Sequence, residues 1–510
     1  MARAAYLLGI DLGAGSLKAT TIRADGTLAG EASHPVATSN PKYGWSEQNP
    51  DEWYAALCHA VPAALKAAGI APSEVAGIGF SGGAHIPVLT DGEDRPVRPA
   101  IMWSDQRSAA EARELHEKAG ERIIRTSLNR VNPTWSLAML LWLKRHEPEA
   151  MGRVRRLYIS KDYLRTRLTG TWETDYSDAV GALMADDRTK GWSRELAALI
   201  DWPMETLPPI VRPSDVVGQV TGKAAAETGL AEGTPVVCGS NDTTVEFFGV
   251  GANAPGIGAI KIATSAVLYL ATRGPSVNPP ISCYPHIVDG MYYTATGTNS
   301  CASAHRWLRD NMFLPADGGD GAAAFGEMDR LASGIAPGAE GLLFHPYLLG
   351  ERAPYWDPLL RADFIGMTMR HGRAHFARAL YEGIAYSIRD LLEAARGLGL
   401  SFDVVKLIGG GARSATWRRI IADVTGLTVE RPGNGDASFG AALVAGIGVG
   451  FFAGPEAAVE RCVTVLDRVE PDTKDHALYS EYFGIYKEAQ AALAPLNHRL
   501  HEFVGRADRS

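Results

Sequence analysis

Short apolar runs broken by small-residue turns occur at two places in this chain, and the two places look alike. Near the start, residues 6–11, 17–22 and 27–32 are such runs, with a turn at Asp11 to Ser16 and another at Ala24 to Gly26. Their lengths and the glycines between them predict an antiparallel strand meander. Near the middle, residues 235–238 read as a buried strand that ends in Gly239, Ser240, Asn241 and Asp242. A helix-length segment and a small-residue loop then lead to a second strand pair at residues 259–263 and 266–271, turning at Thr264 and Ser265. Further strands are expected at residues 75–80 and 404–408, each running into glycines. Apolar residues on one face predict helices beginning near Pro50 and over residues 375–392; residues 137–143 read as a buried helix and the tail from Ala477 as a charged surface helix.

At 510 residues the chain exceeds what one core organises, so two or three domains are expected. With 46% hydrophobic and 21% charged residues it has an ordinary globular composition. A formal net charge of -8 argues against a nucleic-acid partner, which favours a basic stripe. The 5 cysteines are scattered without C-x-x-C spacing, which speaks against a zinc site or a disulfide framework and fits a reducing cytoplasm. Asp11 interrupts the first apolar run before a signal-peptide core is complete, and no run approaches the ~18 residues of a membrane span.

Several positions carry candidate chemistry. Asp242 stands at the exposed end of a buried strand, where α/β enzymes place reacting groups, and is the first candidate for a general base. In the turn after Asp11, backbone N–H groups unobstructed by side chains can face phosphate oxygens, and Lys18 follows with a full positive charge; a plain hairpin is the alternative. The similar turn at Thr264 favours the phosphate reading, because two such turns can clamp a polyphosphate. Neither turn is a Walker A loop, which requires G-x-x-x-x-G-K-[ST] and a following helix. Gly79 to Gly83 fits G-x-S-x-G, but that nucleophile elbow must lead into a helix, whereas the chain continues as a strand towards an Asp91-Gly92 turn. His85, at a glycine-rich strand end, reads equally as a ligand-binding or a satisfied structural histidine. Asp105 serves either as the N-cap of the next helix or as an acceptor for two adjacent hydroxyls. The glycines at 409–411 allow a flat ring or a phosphate close to the backbone, or form an ordinary strand-to-helix turn. Residues 439–446 form a small-residue helix opened by Asp436, which implies close packing or a neighbouring ligand.

Taken together, these segments resemble the FGGY family of sugar kinases, most of all its xylulokinase-like branch. GIDLGAGSLKAT is similar to the family's first phosphate motif, GWSEQNPDEW to its N-terminal loop and MWSDQR to its sugar-domain segment. GSNDTTVEFFGVG resembles the catalytic-aspartate motif, PYLLGERAPYWDPLLRADFIGM the C-terminal signature, and GGGARSATWRRIIADVTG the adenosine motif. The resemblance implies an α/β fold of two ribonuclease H-like domains, of the actin and hexokinase type, with the active site in the cleft between them. Residues 1–250 would form the sugar-binding and catalytic domain and residues 251–510 the nucleotide-binding domain. It implies transfer of the ATP γ-phosphoryl group to a hydroxyl of a ketopentose such as D-xylulose, or of another ketose, polyol or sugar acid. Asp242 would be the general base, and Asp11 would hold Mg2+. Gly13, Ser16 and Lys18, with Thr264, match the phosphate-facing turns; Gly410, Gly411, Ala412 and Ser414 match the adenosine wall. Ala84, His85, Asp105, Thr134 and Trp135 match the sugar pocket, together with Asp242. Ala84 stands where that branch has a methionine and Gly83 where it has a polar residue, so a roomier pocket floor is expected. A cytoplasmic enzyme, possibly a homodimer, with no membrane or nucleic-acid partner, completes the expectation. The rival reading from another class is an actin-like or chaperone-like ATP switch that uses no sugar; the segments around His85 and Asp105 speak against it.

Overall fold

The strands expected at the start of the chain are Tyr6–Leu12, Ser16–Arg23 and Leu28–Pro35, paired antiparallel in sequence order. In this computed structural model, which describes residues 5–314 and 320–507, they form one side of a mixed sheet. Val75–Gly82 adds parallel to Tyr6–Leu12, and Pro235–Val237 adds parallel to Val75–Gly82. The sheet is therefore built in the ribonuclease H-like manner, an antiparallel meander continued by parallel strands.

Both faces of Tyr6–Leu12 are covered, which is why the run reads as nearly all apolar. On one face Leu8, Ile10 and Leu12 pack with Trp53, Leu57 and Ala60 of the helix Pro50–Ala68. That helix starts where its capping residues say it should: the Asn49 side chain accepts from the Asp51 N–H, Pro50 fills the first turn, and Gly69 ends it at φ 67°. On the other face Leu7 packs with Ala442 and Leu443 of the helix Ala437–Gly448. A Cβ on Gly9 would lie 1.8 Å from the Ser438 carbonyl oxygen and one on Gly79 2.1 Å from that of Ala441, so helix and sheet touch backbone to backbone. Close packing thus accounts for the small residues of this helix.

The chain forms two compact units, and the division is not a single cut. The first comprises residues 1–253, 272–293 and 434–464; the second comprises residues 254–271, 294–433 and 465–510. The boundary expected after residue 250 differs from this in the two later segments, because packing of Ala437–Gly448 on Tyr6–Leu12 leaves no mark in the local hydrophobic pattern. In the second unit Gly256–Ile262 pairs antiparallel with Ala266–Arg273 and parallel with Phe402–Ile408, which is followed in the sheet by Thr428–Pro432 and Val465–Val469. Its core is dominated by the long helix Arg373–Gly397 and the helix Ala415–Thr425. The strand Val75–Gly82 does not lead into a helix; the chain continues as the strand Pro87–Thr90, which removes the serine-hydrolase elbow. Among the described residues, no helix is long and apolar enough to cross a membrane.

Candidate active site

Two carboxylates from different elements of the first unit lie close enough to influence each other. Asp11 is the penultimate residue of Tyr6–Leu12, opposite Lys18 on one side and Ser81 on the other. The Ser81 hydroxyl donates to Asp11 Oδ1 at 2.7 Å. Asp242 is the first residue of the helix Asp242–Gly249, capped by Asn241, whose side chain accepts from the Thr244 N–H. The Thr243 N–H donates to Asp242 Oδ1 at 2.6 Å, so one carboxylate oxygen is oriented by the helix start. Burial, and then the negative charge of Asp242, push the Asp11 carboxyl up to about 7 against the lowering hydrogen bond from Ser81; Asp436 and Glu246 add to the rise.

A small cavity of ≈140 Å³ is lined by Gly13, Ala14, Gly83, Met102, Trp103 and Asp242, among others. It is well below the ~300–1,000 Å³ of sites for drug-sized ligands, and suits a molecule of a few carbons. A wider depression of ≈380 Å³ along residues 40–46 and Ser104 is lined by no carboxylate, unlike the smaller one.

The raised Asp11 carboxyl has a consequence for stability. In metal-free buffer the folded protein keeps that proton up to about pH 7, whereas the unfolded chain releases it near its ordinary value of 3.8. This contribution therefore falls as pH rises between those two values and is level above them. Asp11→Asn is expected to remove that slope and to melt higher than the parent at pH 8, by a few degrees; melting curves at pH 5 and pH 8 measure both. A parent lacking the slope would show that Asp11 is not perturbed.

Around the first turn the expected donors are partly engaged. The Gly13 N–H donates to the Ser16 carbonyl at 3.0 Å, and the Ala14 carbonyl accepts from Gln48 Nε2 at 2.7 Å. Gln48 also accepts from the Trp53 indole, so this residue fixes the loop. Lys18 is not an unpaired cation: its ammonium contacts Asp436 at 2.8 Å and Glu31 at 2.7 Å. Burial pushes the Asp436 carboxyl up, but Lys18 and hydrogen bonds from Ser438 and the Phe439 N–H hold it below the ordinary carboxylate value.

Of the sugar-pocket candidates, Asp242 lines the cavity, whereas Ala84, His85, Asp105, Thr134 and Trp135 are not among its lining residues. Gly83 lines the cavity, and Ala84 after it is partly exposed. His85 is buried at φ 68°, with Nδ1 2.8 Å from the Gly181 carbonyl and Nε2 2.8 Å from the Tyr284 hydroxyl. A carbonyl only accepts, so Nδ1 carries the proton and Nε2 accepts from Tyr284. Burial holds the imidazole down at about 4, against the Gly181 hydrogen bond, and it is neutral at physiological pH. Trp135 stacks on this ring at 4.0 Å, and Thr134 is turned to Asn132, to which its N–H and hydroxyl both donate at 3.0 Å.

Asp105 departs from the capping expectation, and its acceptor sites are engaged by protein donors. It does not cap the helix Ala109–Ser127, whose N-cap is Ser108. Its carboxylate accepts from the Ser46 N–H and from the Arg107 N–H, Nε and Nη2, at 2.6–2.9 Å, and is 1% exposed. Four donors fill its acceptor sites, leaving none for a sugar hydroxyl. Arg107 in turn lies 3.7 Å over the Trp45 ring and pairs with Glu47. In the fold, Asp105 ties the loop at Ser46 to Arg107.

In the second unit, Thr264 sits at the tip between Gly256–Ile262 and Ala266–Arg273. Its carbonyl accepts from Cys301, Ser303 and the Ser303 hydroxyl, and its own hydroxyl accepts from Arg306 at 3.1 Å. Arg306 escaped the sequence reading; its position one turn into a helix that follows small residues was the available signal. No carboxylate pairs with it among the described residues, so the cation beside this turn is Arg306. In the glycine segment, Gly409 and Gly411 press on Ile262, whereas a Cβ on Gly410 would meet nothing within 4 Å, leaving an open face. Ala412 is buried, and Ser414 caps the helix Ala415–Thr425 while donating to Asp329.

The sequence profile of the FGGY family of carbohydrate kinases, N-terminal domain, matches residues 6–249, and that of the family's C-terminal domain matches residues 258–449. The chain belongs to this family and is an ATP-dependent carbohydrate kinase. It is similar to the xylulose kinase of Bacillus subtilis, 32% identical over 501 residues that span 98% of this chain and 99% of that protein. The crystal structure of xylulose kinase from Rhodospirillum rubrum superposes with a TM-score of 0.87 at 30% identity, covering 97% of this chain and all of that one. The gluconokinase of Bacillus subtilis is 27% identical over 449 residues, 87% of each chain.

Proposed function

We propose that this kinase phosphorylates a hydroxyl of a ketopentose such as D-xylulose, with Asp242 as general base. The observation that carries the reading is the small cavity with Asp242 in its wall and Asp11 close enough to feel its charge. In that cavity the acceptor hydroxyl donates its proton to Asp242 as its oxygen attacks the γ-phosphorus, and ADP leaves. Catalysis of this kind is mainly positioning and charge neutralisation. The glycine turn at Gly13 and Ser16 and the turn at Thr264, with Arg306 beside it, would face phosphate oxygens; Lys18 contributes through Asp436. Gly410, with Gly411, Ala412 and Ser414 behind it, would form the wall for the adenosine. Asp11 fits a cation: burial and then the neighbouring carboxylates hold its proton on, and Mg2+ typically takes one or two carboxylates with water and substrate phosphates. When bound, Mg2+ supplies positive charge against the phosphates.

Ketopentose is favoured by the likeness to xylulose kinases, and a sugar acid is the second reading, favoured by the gluconokinase likeness. Gly83, which lines the cavity, and Ala84 after it would leave more room there than larger residues at these positions. A coupled ADP-release assay against ketoses, polyols and aldonates tests the reading. D-xylulose or a related ketopentose is expected to give the highest kcat/KM. A preference for an aldonate would move the assignment to the second reading, and ATP hydrolysis that no sugar stimulates would overturn both.

A further inference from the structure

Behind the helix that begins with Asp242 lies a cluster of charges that no acceptor can reach. Lys161 Nζ is 2.5 Å from Asp162, 3.0 Å from Asp175 and 3.1 Å from Asp178, and none of these side chains is more than 1% exposed. Arg165, equally buried, pairs with Asp162 and Glu173. Such a cluster is a poor way to stabilise a core, since well-packed apolar residues of similar volume do as well or better. Its contribution must lie in the geometry it imposes.

That geometry leads to Asp242 by two short routes. Asp175 Oδ2 accepts from the Ser240 hydroxyl at 2.8 Å and from the Ser177 N–H at 2.9 Å. Asn241 donates from Nδ2 to the Ser177 hydroxyl at 2.9 Å and accepts on Oδ1 from the Thr244 N–H, also at 2.9 Å. Ser240 and Asn241, the two residues before Asp242, are thereby tied to the stretch that starts at Asp175. They also pair parallel with Ser81 and Gly82, the former holding Asp11. The other end of the same short helix, Tyr176–Gly181, supplies the carbonyl that takes the His85 N–H. One strut anchored on Lys161 therefore reaches both Asp242 and the stacked pair of His85 and Trp135.

We infer that Ser240 and Ser177 are positioning residues, which transmit the placement of the Lys161 cluster to Asp242 and hold its carboxylate in line with an acceptor in the cavity that Asp242 lines. This rests on Asp242 being the general base. The charge state of the cluster supports it: burial lowers the Lys161 ammonium, yet the three surrounding carboxylates raise it well above its ordinary value, so the anchor keeps its charge. Burial likewise raises the Asp178 carboxyl despite Lys161.

Steady-state kinetics of the full-length enzyme with its best acceptor and ATP test the inference, with Ser240→Ala, Ser177→Ala, Ser240→Thr and Asp242→Asn compared. Each alanine variant is expected to lose on the order of 10–100-fold in kcat, the scale of a misplaced reacting group, with both KM values changed less than about threefold. Ser240→Thr, which keeps a hydroxyl, should recover part of the loss. Parental kcat in both alanine variants, beside an inactive Asp242→Asn, overturns the positioning role alone and leaves the base assignment standing. A fall in kcat/KM that resides in KM, or failure of both alanine variants to fold, also overturns it. Parental turnover by Asp242→Asn overturns the inference together with the reading beneath it.

Discussion

Replacing Asp242 by asparagine is expected to lower turnover by about 10²–10⁴-fold while leaving acceptor and nucleotide affinities within a small factor of the parent's. The substitution keeps the size of the side chain and an oxygen that can accept from the Thr243 N–H, now at 2.6 Å, so the helix start is preserved. What is lost is the ability to take a proton from the acceptor hydroxyl. Calorimetry for binding and ADP release for turnover separate the two effects. The variant should also relieve Asp11, whose carboxyl is raised in part by the Asp242 charge, so a lower titration of Asp11 is expected beside the lost turnover. Turnover near the parent's value would reject Asp242 as the base.

Asp105→Ala is expected to act on stability instead of on the acceptor. Removing this carboxylate strips Arg107, whose side chain is 1% exposed, of the partner that takes both its Nε and its Nη2, and leaves the Ser46 N–H unpaired. Breaking a buried pair from one side costs ~3–5 kcal/mol, and Glu47 remains to recover a share of it. For a unit of this size the corresponding fall in melting temperature is on the order of 10 °C. KM for the acceptor in the protein that stays folded should be close to the parent's. A variant that melts like the parent but binds the acceptor many times more weakly would restore Asp105 to the sugar pocket.

The contrast between Asp242 and Asp105 illustrates what is legible along a chain. Asp242 is placed by local rules: an apolar strand, a glycine break, and an asparagine that caps a short helix. The same is true of the opening meander and of the helix after Asn49, where cap, proline and terminal glycine all agree. Asp105 looks like an N-cap or a ligand because both readings consult only its neighbours in sequence. Ser46, which decides the matter, is 59 residues away. His85 follows suit, its free nitrogen taken by Tyr284 across 199 residues, and Lys18 is paired with Asp436 across 418.

The amino-acid order alone determined the strand and helix segments around the site, the absence of a hydrolase elbow, and a carboxylate, Asp242, at the end of a buried strand. Backbone sterics, capping and apolar periodicity act over a few residues, so they can be read without the fold. Folding decided which polar groups remain available: it neutralised Lys18, saturated Asp105, closed both nitrogens of His85, and left Arg306 beside the Thr264 turn. It also returned residues 434–464 to the first unit, where glycines on the sheet admit the Ala437–Gly448 helix to backbone contact. Hydrogen-bond and charge partners are chosen by proximity in space, and a buried polar group takes whichever partner packing brings to it.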